Sequence, residues 1–188
     1  MPSQGPNSPG TVVNDATVGT RPWNSPTGAN VSDNIYATQD PIITTTSHYL
    51  KCTNFAFNEV VGKVTGIKVE VERLANADLL GDYVVDNSVR LVLGGTIQGN
   101  NKADTVTHWP LADSYAVYGG DGDLWGLLPL AAEARDSGFG VALACDTNVS
   151  GMNGALVDHI RITVYYEGEE DVVLEETGSA FLLTMLDN

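Results

Sequence analysis

An antiparallel, all-β sandwich of jelly-roll type is the fold class this sequence predicts. Three observations carry the prediction. Between residues 47 and 166 the hydrophobic pattern repeats every second residue. Gly-rich turns separate those runs. Material for only one short helix is present. Alternation of apolar and polar residues marks strands with one buried face, and several such strands joined by tight turns make a sandwich or barrel.

The clearest strand is GIKVEVER, where Ile67, Val69 and Val71 share one face and Lys68, Glu70 and Glu72 the other. Tyr83 to Leu93 repeats the pattern through Val85, Val89, Leu91 and Leu93. Residues 138–145 set Phe139, Val141, Leu143 and Cys145 against Gly140, Ala142 and Ala144. Both faces of that strand are apolar, so both are expected to be covered. Residues 156–166 set Ile160, Ile162 and Val164 against His159, Arg161 and Thr163. Ser47 to Phe57 is a weaker strand, rich in Tyr, Thr and Phe. Turns are expected at 61–63, Gly94-Gly95, 99–101, 119–123 and 150–154. The helix is Leu127–Arg135, limited to about two turns by Pro129.

The flanks differ from this body. Residues 1–46 hold six of the eight prolines and are dominated by Ser, Thr, Asn and Gly. Such a segment has few side chains for a core. It is expected to be an extended arm, with at most a short strand at Gly10–Val13, ordered by a partner rather than by its own domain. Trp23, flanked by Pro22 and Pro26, is its one tryptophan. A ring of that size needs a surface, either in its own domain or on a neighbouring subunit. Residues 167–188 run from acidic (Glu167, Glu169, Glu170, Asp171, Glu175, Glu176) to apolar (Phe181, Leu182, Leu183, Met185, Leu186). The apolar end must pack on its own domain or on a partner.

Charge restricts the function classes. The 188 residues carry 9 basic and 24 acidic side chains, a net charge of −15. Residues 111–188 hold two basic residues against fourteen acidic ones. Binding to nucleic acid or to an anionic membrane needs basic clusters, so neither is expected. No apolar run reaches the roughly 18 residues of a spanning helix, and no secretory leader is visible.

Candidate chemical groups are sparse. Cys52 and Cys145 each sit in an apolar strand and are expected to be buried free thiols, a bridge requiring neighbouring strands. Asp158 and His159 are adjacent in a strand and are expected to face opposite sides, so they make no dyad. His48 and His108 lack a nucleophile motif. Asp121 and Asp123 lie in a Gly-rich turn without the spaced oxygens of a calcium loop. No catalytic residue, metal ligand set or cofactor motif emerges. Trp109, Tyr115, Tyr118 and Trp125 flank that turn. Buried, they cap one end of the sandwich; exposed, they form a sugar-stacking platform.

Several segments in order resemble small virion structural proteins of tailed bacteriophages. They are TVVNDATVGTRPWNSP at 11–26, SDNIYA at 32–37, SHYLKCTNFAF at 47–57, VTGIKVEVER at 64–73, GGDGDLWG at 119–126 and VDHIRITVYY at 157–166. The resemblance implies a non-enzymatic β-sandwich on the phage particle. It points to a decoration (cement) protein that bridges major capsid subunits and acts as a homo-oligomer, a trimer. Its location would be the virion, assembled in the host cytoplasm. One alternative is a tail, neck or head-fibre component binding host glycans through the Trp/Tyr loop. Another is a glycan-degrading virion enzyme with paired carboxylates.

Overall fold

The computed structural model describes residues 1–40, 44–76, 81–148 and 154–168. Their strands are β1 (Ser3–Asn7), β2 (Thr11–Asp15), β3 (Ala37–Gln39), β4 (Thr45–Thr46), β5 (Tyr49–Thr53) and β6 (Lys63–Ala75). There follow β7 (Tyr83–Leu93), β8 (Thr96–Gln98), β9 (Ser114–Gly120), β10 (Gly140–Asn148) and β11 (Ala155–Glu167). The helix α1 is short, Ala131–Arg135.

These strands form two antiparallel sheets. One runs β3-β11-β6-β9, with β1 also pairing along β11. The other runs β2-β5-β10-β7-β8, with β4 also pairing along β10. From β5 onward the chain alternates between sheets, except for the β7-β8 hairpin. That alternation and the strand orders β3-β11-β6-β9 and β5-β10-β7-β8 are those of a jelly roll, so the expected fold class holds.

The period-two pattern builds the core. Ile67, Val69 and Val71 of β6 and Ile160, Ile162 and Val164 of β11 face inward from one sheet. Val89 and Leu91 of β7 and Val141, Leu143 and Cys145 of β10 face them from the other. Phe55, Phe57 and Phe139 join the same core, Phe57 and Phe139 meeting edge to face at 5.7 Å. The second face of β10 is covered as well. Ala142 and Ala144 pack with Tyr49 and Val92, against Val18 and Ile97. The β7-β8 turn uses Gly94 and Gly95, both at positive φ (55° and 78°). Two such residues are what a two-residue hairpin of the twisted kind demands.

The amino-terminal segment departs from expectation. Instead of a free arm, residues 1–40 are woven into the sandwich. The segment supplies β1 to the first sheet, β2 to the second and β3 to the first again. The next stretch supplies β4 to the second. Val12 is buried at the centre of β2, opposite Cys52. Few core side chains are needed, because the backbone itself pairs with open sheet edges, and ladder hydrogen bonds do not depend on side-chain type. Gly5 lies so close to β11 that a Cβ there would meet the Ile162 carbonyl at 2.5 Å.

Candidate functional site

Trp23 lies inside the domain rather than on its surface. The ring is 3% exposed. Its Nε1 donates to the His48 carbonyl at 2.8 Å, and its backbone N–H donates to Asn14 Oδ1 at 2.8 Å. Asn14 of the same segment thus holds the Trp23 backbone, while the ring itself is seated on the His48 carbonyl from the following strand region. Trp23 is therefore not a docking anchor for a neighbouring subunit. Pro22 is exposed, and Pro26 opens a short 3-10 turn, Pro26–Ala29, and is partly buried. The other expected partner residues, Phe181, Leu182, Leu183, Met185 and Leu186, lie outside the described residues.

The aromatic loop is an internal fastener. Trp109, Tyr118 and Trp125 are buried, so these rings do not make an exposed sugar platform. Asp86 of β7 is fully buried and collects four donors. They are Arg73 of β6, Trp109 Nε1 at 2.8 Å, the Tyr118 hydroxyl of β9 at 2.8 Å and the Asp104 N–H at 3.1 Å. The Arg73 guanidinium lies 4.6 Å from the Trp109 ring centroid. Because β6 and β9 belong to one sheet and β7 to the other, this ion pair ties the sheets together. Burial raises the Tyr118 phenol well above its ordinary range. Trp125 Nε1 donates to the Ile67 carbonyl at 2.9 Å.

Tyr115 is only partly buried and belongs to a second cluster. Its hydroxyl and Ser8 Oγ each lie 2.9 Å from a ring nitrogen of His159. The Arg161 guanidinium stacks 4.0 Å over the Tyr115 ring and pairs with Glu70 at 3.0 Å. Burial, with the Arg161 charge beside it, holds the His159 imidazole below its usual range. Asp158 takes a separate partner, the Asp33 N–H at 3.4 Å. It falls at a register shift between Val157 and His159 in the pairing with β6. The bulge was not legible in the alternating pattern.

Of the two turn carboxylates, Asp123 is also engaged. Asp123 accepts from Lys102 Nζ at 2.6 Å and from the Trp125 N–H at 2.8 Å. Burial pushes its carboxyl up, but these donors outweigh it and hold it low. Asp121 is exposed. Among the described residues no three His, Cys, Asp or Glu side chains gather as a metal set. Cys52 and Cys145 are free and buried. They lie in adjacent strands, but Cys52 pairs in register with Val141, four residues from Cys145. Burial raises both thiols, Cys145 to about 12, which leaves them as unreactive packing groups.

Two surface features remain open. A groove of about 980 Å³ is lined by Thr20, Thr45, Thr46, Tyr83, His108 and Asp146, among others. Tyr83 and His108 stack there at 4.9 Å, and Asp146 is already bound by Thr46 and Asn87. The groove joins five separate chain segments, so no local motif could have announced it. A smaller cavity of about 270 Å³ is lined by Val64, Leu124, Leu128, Pro129 and Leu130. Its rim is strongly apolar, with Leu128 86% and Leu130 66% exposed.

No family model matches this chain, and no curated protein matches it. Among solved structures, the chain is similar to the crystal structure of a Podospora anserina GH26-CBM35 β-(1,4)-mannanase, at 14% identity and a TM-score of 0.31. The match covers 87% of this chain and 29% of that one. Similarity at that level says nothing of activity.

Proposed function

We propose that this chain is a non-enzymatic structural protein of a bacteriophage particle, decorating the capsid and bridging neighbouring major capsid subunits. The observation that carries the reading is how the chemistry-bearing groups are used. Arg73, Asp86, Asp123 and His159 are all engaged as fasteners between strands and loops. The ordered sequence segments resembling phage virion proteins support the same reading. So does the jelly roll, an architecture used by capsid domains, although a fold by itself does not define a function. An acidic surface keeps a densely coated particle soluble. Copies on the particle act as a homo-oligomer, a trimer at local threefold positions.

The test is to add purified, tagged protein to particles lacking it and to image them. Regular density on the head lattice is expected. Density confined to the tail or neck would replace this reading with a tail or fibre role.

A further inference from the structure

The apolar cavity beside Leu128 lies where the described chain ends. Its floor is Val64, and its walls are Leu124, Leu128, Pro129 and Leu130. Lys63, at the rim, bridges to Leu130 and pairs in register with Glu167, the last residue of β11. Gly62 is so close to this exit that a Cβ there would meet the Glu167 carbonyl at 2.3 Å. A surface with two large aliphatic side chains mostly in water calls for an apolar occupant.

We propose that this cavity seats apolar side chains from the same chain's own segment, Phe181–Leu186. Three facts select that occupant. Residues 169–180 separate the exit from Phe181, and twelve residues span up to ~40 Å when extended, enough to turn back onto the rim. Five of the six residues from 181 to 186 are large and apolar, matching the cavity's chemistry. The intervening stretch carries Glu169, Glu170, Asp171, Glu175 and Glu176, whose charges match the apolar cavity poorly. A short tether also gives the segment an effective concentration near the millimolar range, which favours the chain's own cavity over that of another copy. This inference is independent of the particle role proposed above.

The experiment uses the full chain with Leu128→Cys and Met185→Cys, joined by a short bismaleimide. Leu128 is exposed, and the native thiols are buried. A cross-link within one chain is expected, independent of protein concentration. Its yield should fall at least about tenfold when Phe181, Leu182 and Leu183 are changed to Ser, since tenfold corresponds to about 1.4 kcal/mol, no more than the burial of one such side chain supplies. An unchanged yield in the Ser variant would show tethering without seating and overturn the proposal. Cross-links between chains, or none, would overturn it as well.

Discussion

Single residues carry more of this fold than their setting in the sequence suggests. Trp23 sits in a polar, proline-rich stretch, yet it is buried and hydrogen-bonded to His48. Trp23→Ala should therefore destabilise the whole domain by about 3–5 kcal/mol, as large-to-small core changes do. Urea denaturation measures this, and an unchanged midpoint would return Trp23 to the surface. His159 makes a pH-dependent contribution. Its folded pKa lies below the unfolded value of about 6.5, so the unfolded state binds the proton more readily. The contribution is present above that value and is lost as pH falls from about 6.5 towards the lowered folded pKa. Asp158, raised by burial and by the Glu72 and Asp113 charges, works with the opposite sign at lower pH. Melting temperatures at pH 7 and pH 5.5 should show a smaller drop for His159→Gln than for the native chain. Equal drops would remove His159 from the account.

At the scale of elements, the legible strands were those whose side chains do the packing. β6, β7, β10 and β11 each place β-branched or aliphatic residues on alternate positions, and their inward faces follow from that alternation. Of the elements that the alternation does not announce (β1, β3, β4, β8 and β9), β1, β3 and β4 are held mainly by backbone pairing at sheet edges. Ser, Gly, Pro and Thr in those strands leave no hydrophobic period to detect. The same blindness applied to the aromatic loop. Burial of Trp109 and Tyr118 could be weighed from their size, but the Asp86 partner comes from a strand more than twenty residues away and gave no local signal. If the amino-terminal segment is structural, limited proteolysis of the free protein should leave residues 1–40 attached. Deleting residues 1–9 should remove β1, expose the β11 edge and lower stability. Rapid cleavage within 1–40 that leaves a stable body would restore the picture of a free arm.

As a whole molecule, the chain is a jelly roll whose edges are stitched by its own amino-terminal segment, with a net charge of −15. Stitching of both sheets by one segment resists shear between them, as the proposed capsid role would require. In the proposed role, pressure from packaged DNA pushes capsomers apart, and this protein would oppose it across their joints by burying apolar surface at roughly 25 cal/mol per Å², less the cost of ordering. The lattice repeats each contact, so modest clamps add up. The most direct test is the temperature at which particles release DNA, measured with and without this protein. The account predicts release at lower temperature from particles lacking it, restored when the purified full chain is added back. The same release temperature for both kinds of particle would contradict it.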